Sequence, residues 1–98
     1  MTKKKLTNTD IGEKLKKISE WNLNTKQTEL SKTFIFSSFI NGLAFIAKIT
    51  VHAEILEHHP ELKLTYGKVK VTLSTHDVKG LTAFDFELAG RIDNLRVS

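Results

Sequence analysis

The chain has 98 residues, a formal net charge of +4 and no cysteine. A chain of this length forms one domain, and the lack of cysteine excludes a disulfide scaffold and any cysteine-ligated metal site. We therefore predict a single domain over residues 1–98, with residues 1–6 as a flexible basic tail. The tail is not followed by the apolar run of a signal peptide, and no uninterrupted apolar stretch reaches the length of a membrane span. We expect a cytoplasmic protein that does not enter a membrane.

A helix and two strands are predicted in the first third of the chain. Apolar residues recur with the helical period over residues 8–20, which predicts a helix. Thr7 stands three residues before Asp10, the spacing of a capping box at its start. Apolar and polar residues alternate over residues 28–36, which predicts a strand. A short strand near residues 23–26 would pair with it.

A long second helix is predicted from Phe39 to about His58. It is apolar around most of its circumference, and only Asn41, Lys48 and His52 form a polar stripe. A helix of this kind is buried over most of its surface. In a domain this small, the helix is expected to pack on a sheet and to meet another subunit. We interpret His52, in the polar stripe, as a solvated surface histidine.

The second half of the chain predicts a hairpin and a third helix. Residues 62–66 and 68–73 alternate between apolar and polar side chains on either side of Gly67, which predicts two antiparallel strands. Thr82 and Asp85 have the capping-box spacing and predict the start of a helix. The order of helix, strands, helix, two strands and helix predicts an α+β sandwich.

Three histidines stand where predicted elements end. His58 and His59 are adjacent and precede the only proline, Pro60, and the residue before a proline is disfavoured in the α region. His76 follows the second strand of the hairpin. Glu54 lies four residues before His58 and would face the same way on a helix. Glu54 is then either a helix-end ion-pair partner or the carboxylate that sets the tautomer of a working imidazole.

These histidines are open to three interpretations. A metal site is disfavoured, because adjacent side chains on a helix diverge by about 100° and do not easily chelate one ion. A dehydration needs one group to protonate a leaving hydroxyl and another to accept a proton, and histidines do both near neutral pH. In the third interpretation, the histidines are incidental to a dimeric scaffold. The lysines of residues 3–17 are read as a solvated face, and because no aromatic residues interleave with them we do not expect nucleic acid as a partner.

The motifs around the histidines resemble those of the pterin-4a-carbinolamine dehydratase family. The matching motifs are Glu54-x-x-Glu57-His58-His59-Pro60, Tyr66-x-Lys68-Val69, Leu73-Ser74-Thr75-His76-Asp77 and Gly80-Leu81-Thr82-x-x-Asp85, with Trp21-Asn22 and Phe34-x-Phe36 upstream. The resemblance runs from about Leu6 to Leu95. It implies a four-stranded antiparallel sheet with three helices packed on one face.

The resemblance also implies an activity, which is dehydration of 4a-hydroxytetrahydropterin to quinonoid dihydropterin. This reaction recycles the tetrahydropterin cofactor of aromatic amino-acid hydroxylases. The family implies a pterin substrate, no metal or organic cofactor, and a homodimer or homotetramer. The alternative is a non-catalytic binding or assembly protein on the same scaffold. Some animal members serve as the dimerisation cofactor of a homeodomain transcription factor, and some relatives of the fold are assembly chaperones.

By this resemblance, the catalytic residues are His58, His59 and His76, and the substrate-binding residues are Trp21, Glu54, Pro60 and Asp85. We predict that His58 and His76 form the acid–base pair and that His59 orients the pterin. Glu54 would hold His58, and Trp21 would cover the ring. From the residues alone, a lone tryptophan is most often a core or lid aromatic. Asp85 has the alternative role of satisfying the start of the last helix.

Overall fold

The computed structural model describes residues 1–95, so residues 96–98 of the predicted domain lie outside the described residues. The elements are α1 (Asn8–Leu15), β1 (Asn22–Leu23), β2 (Leu30–Ile35), α2 (Phe39–Leu56), β3 (Glu61–Thr65), β4 (Lys68–Leu73), a short 3₁₀ helix (His76–Val78) and α3 (Ala83–Asp93). The strands form one antiparallel sheet in the order β1-β2-β4-β3. The predicted α+β fold, with four antiparallel strands and three α-helices, is confirmed.

The helices cover one face of the sheet and leave the other face open. In β4, Val69 and Val71 are fully buried whereas Lys70 between them is exposed, because successive side chains of a strand point to opposite faces. Gly42 lets α2 approach the covered face closely. A Cβ at Gly42 would lie 2.9 Å from Cδ1 of Leu64 and 3.3 Å from Cγ2 of Val69.

Only one face of α2 packs on the sheet. The buried residues are Gly42, Phe45, Ile49, Ala53 and Leu56. Much of the remaining apolar surface of α2 lies at the surface of this chain, with Phe39, Ile40, Leu43, Val51 and Ile55 between 49% and 70% exposed. A helix can turn only one face to a sheet, so its remaining apolar surface has no cover within residues 1–95. The expected contact with another subunit stays a prediction.

By length and composition alone, α2 is the one helix within residues 1–95 that could cross a membrane. Its mean hydropathy is 1.4 although Asn41, Lys48 and Glu54 interrupt the apolar residues. An apolar core helix of a soluble protein passes the same test, and α2 packs on the sheet through Gly42. One such helix is therefore a weak indication of a membrane span.

α1 begins as predicted and ends earlier. Its capping box is confirmed, because the Asp10 N–H donates to Oγ1 of Thr7 at 3.1 Å and the Thr7 N–H donates to Oδ2 of Asp10 at 3.4 Å. The helix ends at Leu15 rather than at residue 20. Beyond it the chain tightens into a 3₁₀-type turn, in which the Ile18 N–H donates to the carbonyl of Leu15 at 3.4 Å.

The N-terminal segment contacts the rest of the domain. The Leu6 N–H donates to the carbonyl of Leu81 at 2.9 Å, and the Leu6 side chain packs against the core. The stem of Lys5 covers Gly80, where a Cβ would lie 2.7 Å from Cε of Lys5. The predicted basic tail of residues 1–6 is therefore docked at its C-terminal end.

Candidate active site

The structure brings the three predicted catalytic histidines to one cleft. His58, His59 and His76 line a cleft of about 210 Å³. His58 and His59 lie between α2 and β3, and His76 begins the 3₁₀ helix after β4. The other lining residues are Lys3, Glu57, Ser74, Thr75 and Asp77. Residues that are distant in the sequence meet here because the C-terminal ends of α2 and β4 lie at the same end of the sheet.

The end of α2 determines where the two adjacent histidines point. Glu57 adopts the left-handed conformation, with φ 49° and ψ 42°. The His58 N–H donates to the carbonyl of Ala53 at 3.0 Å, and the Glu57 N–H donates to that of Glu54 at 3.1 Å. These bonds form a Schellman motif in which Glu57 takes the position usually occupied by glycine. Beyond this turn His58 is buried and His59 is exposed, so the predicted helix to His58 is two residues too long.

Glu57→Gly should be more stable than Glu57→Ala by about 1 kcal/mol, because a residue with a Cβ is strained in the left-handed region. For a domain of this size, that difference corresponds to about 4–8 °C in Tm. Thermal unfolding of the two variants measures it. Equal Tm values would show that the turn at Glu57 carries no strain.

A buried carboxylate holds His58. Its Nε2 lies 2.6 Å from Oδ1 of Asp85, and the two residues are 6% and 0% exposed. Oδ2 of Asp85 accepts the Thr82 N–H at 2.9 Å and the Thr75 hydroxyl at 2.7 Å. An ionised carboxylate only accepts hydrogen bonds, so Nε2 of His58 carries the proton and Nδ1 is the acceptor of the neutral ring. Asp85 thus satisfies the start of α3, as one interpretation predicted, and also orients His58.

Two buried threonines complete this network. Because the Thr75 hydroxyl donates to Asp85, its oxygen accepts from the Thr82 hydroxyl at 2.9 Å. The Thr75 N–H donates to the carbonyl of Gly80 at 2.8 Å and closes the loop that carries His76. Sequence reasoning did not identify the role of Thr75. The signal was the alternation of buried residues in β4, which continues past Leu73 to Thr75, because a buried hydroxyl needs a partner.

Glu54 contacts His59 rather than His58. Nε2 of His59 lies 2.6 Å from Oε2 of Glu54, with side chains 67% and 68% exposed. The prediction that Glu54 holds His58 is wrong, because the turn at Glu57 sends His58 inward and leaves His59 beside the outer face of α2. An exposed pair contributes at most about 1 kcal/mol to stability. Its effect at this site is to orient the imidazole of His59.

Comparisons with known proteins identify the family. A family model described as pterin 4 alpha carbinolamine dehydratase matches residues 4–95. The chain belongs to this dehydratase family. A Nostoc punctiforme protein named as a candidate pterin-4-alpha-carbinolamine dehydratase is 40% identical over 91 residues, which cover 93% of this chain and 96% of that protein.

Two solved structures share the fold of this chain. The crystal structure of a transcriptional coactivator/pterin dehydratase from Brucella melitensis is 31% identical with a TM-score of 0.85, over 91% of this chain and 95% of that chain. A pterin dehydratase-like protein identified as a RuBisCO assembly factor in the alpha-carboxysome is 24% identical with a TM-score of 0.64, over 76% and 87% of the two chains. The second likeness shows the fold alone.

Trp21, which the dehydratase resemblance assigned to the pocket, lies in the core at the other end of α3. Its Nε1 donates to Oδ1 of Asp93 at 3.0 Å, and its ring meets Phe34 edge-on at 6.3 Å between centroids. Lys32 pairs with the same carboxylate at 2.8 Å. Asp85 and Asp93 are separated by about 12 Å along the helix. The interpretation of Trp21 as a core aromatic is confirmed, and within this chain the prediction that it covers the substrate is wrong.

Two other predicted residues lie outside the histidine cleft. Pro60 directly precedes β3 and is partly buried, and its role in substrate binding stays a prediction. His52 is half-buried rather than solvated as predicted, and its Nδ1 has no hydrogen-bond partner among residues 1–95. The helical wheel placed His52 in the polar stripe, which borders the buried face. Within the same residues, no cluster of three or more His, Asp or Glu side chains could hold a metal ion.

Proposed function

We propose that this protein dehydrates 4a-hydroxytetrahydropterins to quinonoid dihydropterins and so recycles tetrahydropterin for aromatic amino-acid hydroxylases. The observation that carries the proposal is the convergence of His58, His59 and His76 on one cleft, with His58 fixed by the buried Asp85. Membership of the dehydratase family supports it. In the reaction, the bond from C4a to the hydroxyl oxygen breaks, N5 loses its proton, and a C4a=N5 double bond forms.

In this proposal, each histidine has a distinct task. Asp85 holds the proton on Nε2 of His58, so Nδ1 of His58 accepts the proton from N5. His76 donates a proton to the 4a-hydroxyl, which departs as water. His59, held by Glu54, orients the pterin ring. Solvent returns the proton from His58 to His76 after each turnover, since His76 is exposed at the rim of the cleft.

Titration with a stable 7,8-dihydropterin tests whether the cleft is the pterin site. The imidazole NMR resonances of His58, His59 and His76 are expected to shift as the ligand binds. Those of His52 serve as an internal control and should not shift, because His52 does not line the cleft. A ligand that shifts none of the three would contradict the placement of the pterin.

The alternative function is a non-catalytic binding or assembly protein. The observation that favours it is the exposed apolar face of α2, formed by Phe39, Ile40, Leu43, Val51 and Ile55. Contiguous apolar surface of this kind marks interaction sites. We infer that a further copy of the chain covers this face, in a homodimer or homotetramer, which is compatible with either function.

Val51→Asp should convert the oligomer into monomers, because it places a charge in the apolar face of α2 that we infer to contact a second copy of the chain. Thr9→Asp is the control, since Thr9 is an exposed polar residue of α1 and lies outside the apolar face of α2. Sedimentation velocity measures the mass of each variant. The assignment of this face would be contradicted if the unsubstituted protein were monomeric, or if Val51→Asp formed the same oligomer as the unsubstituted protein.

A further inference from the structure

A second polar pocket adjoins the histidine cleft on the open side of the sheet. It has a volume of about 180 Å³, and His59, Ser74 and His76 line both the pocket and the cleft. The other lining residues are Glu29, Glu61, Lys70 and Thr72. The proposed acid–base steps use none of these four. A ligand whose ring lies in the cleft can therefore extend a substituent past the three shared residues into this pocket.

Strand β4 supplies the floor of the pocket. Lys70, Thr72 and Ser74 alternate along the chain with the fully buried Val71 and Leu73, so they share the open face. Their Cα atoms follow one another at about 6–7 Å. An ammonium group and two hydroxyls, all hydrogen-bond donors, thus form a row that leads toward the histidine cleft.

The partner of Lys70 across the sheet explains why Lys70 turns into the pocket. Lys63 of β3 lies directly opposite Lys70 in the strand register, and like charges in this position repel. The repulsion disfavours a Lys70 side chain that crosses over β3 and favours one that follows its own strand. Lys70 accordingly lines the pocket and Lys63 does not. The ion pairs formed within residues 1–95 do not include Lys70.

Carboxylates stand on the two sides of this floor. Glu61 begins β3, and Glu29 precedes β2 on the other side of β4. Neither takes part in the ion pairs formed within the described residues 1–95. The side chains of the floor donate hydrogen bonds, and the carboxylates at the sides accept them. A hydroxyl group does both, whereas a phosphate or carboxylate on the ligand would meet two glutamates against the single positive charge of Lys70.

We propose that this pocket binds the substituent at C6 of the pterin and selects a polyhydroxylated chain over an alkyl or a phosphorylated one. Lys70 and Thr72 donate to the hydroxyl oxygens, and Glu29 and Glu61 accept from the hydroxyl groups. The inference rests on the proposed function for the pterin ring in the cleft. It adds the class of substrate and the residues that distinguish it.

Calorimetry with three stable 7,8-dihydropterins tests the proposal. Their C6 substituents are methyl, trihydroxypropyl and trihydroxypropyl phosphate. The trihydroxypropyl ligand is expected to bind the unsubstituted protein with a Kd at least about tenfold lower than the methyl ligand, as two or more added hydrogen bonds would give. The phosphate is expected to bind no more tightly than the trihydroxypropyl ligand. Equal Kd values for methyl and trihydroxypropyl, tightest binding of the phosphate, or no binding of any ligand would overturn the proposal.

Two variants and a matched control test whether Lys70 and Thr72 cause the preference for the trihydroxypropyl ligand. Lys70→Met and Thr72→Val should each lower the ratio of the methyl to the trihydroxypropyl Kd by about threefold or more. Lys68→Met removes a lysine from the same face of β4 that does not line the pocket, and it should keep the ratio. An unchanged ratio in both pocket variants, or an equal fall in Lys68→Met, would refute the assignment.

The outcome also separates this pocket from the proposed activity. If the protein shows the trihydroxypropyl preference but does not accelerate dehydration, the activity fails and the pocket stands. If the protein dehydrates methyl- and trihydroxypropyl-substituted carbinolamines with equal KM and binds both dihydropterins with equal Kd, the activity stands and the pocket fails.

Discussion

His58→Ala is expected to slow the dehydration of a 4a-hydroxytetrahydropterin by about 10²- to 10⁴-fold, the range that a positioned general acid or base contributes. His58 is the buried histidine of the cleft, and a buried carboxylate holds it. His76→Ala is expected to lose at least about tenfold. The expected loss of rate is smaller for His76→Ala because His76 is exposed, so a water molecule can donate the proton in its place. Stopped-flow measurement of kcat and kcat/KM quantifies both variants.

His52→Ala is the control for this pair of variants. This variant also removes a histidine from the chain, but His52 does not line the cleft. The kcat of His52→Ala should therefore stay within about twofold of that of the unsubstituted protein, a far smaller change than the loss of an acid–base group causes. Near-native rates in both His58→Ala and His76→Ala, with native circular dichroism, would refute the acid–base assignment.

Asp85→Ala is expected to lower the free energy of unfolding by about 3–5 kcal/mol, because it leaves several buried hydrogen-bond donors without a partner and each costs about 1–3 kcal/mol. The substitution leaves Nε2 of His58, the Thr75 hydroxyl and the Thr82 N–H without their acceptor in a buried site. Buried groups without partners are costly. Domains are stable by only about 5–15 kcal/mol, so the loss is a large share of the total. Urea denaturation followed by circular dichroism measures it.

Two further variants show whether the buried network is the cause. Asp85→Asn keeps the shape and one carbonyl acceptor, so its expected loss is smaller, about 1–3 kcal/mol. Glu54→Ala breaks the exposed counterpart of the same contact, the pair with His59, and should lose less than about 1 kcal/mol. If Asp85→Ala destabilises the protein no more than Glu54→Ala, the buried carboxylate does not stabilise the fold as described.

The elements that the sequence predicts correctly depend on residues that are neighbours in the chain. Alternation identifies β4, and the capping-box spacing of Thr7 and Asp10 marks the start of α1. The buried face of α2 could not be predicted in this way. A helix that is apolar around most of its circumference gives no direction, and the choice comes from the fit of Gly42 against Leu64 and Val69.

The same distinction applies to the site. The place of His58, His59 and His76 at the ends of elements is readable from the sequence, and the cleft confirms that they meet. The partner of His58 was not readable. It depends on a left-handed turn at Glu57, which lacks the glycine that usually signals such a turn. Asp85 is 27 positions away in the chain, and only the packing of α2 and α3 brings it to His58.

The most direct test of the proposed activity is the rate at which the purified protein removes water from a freshly generated 4a-hydroxytetrahydropterin. The carbinolamine decays spontaneously in buffer, and its absorbance gives the first-order rate. We predict that this rate rises in proportion to the protein concentration and that His58→Ala removes most of the increase. A rate equal to that of buffer at every protein concentration would contradict the activity, and the histidine cleft would then belong to a non-catalytic binding protein.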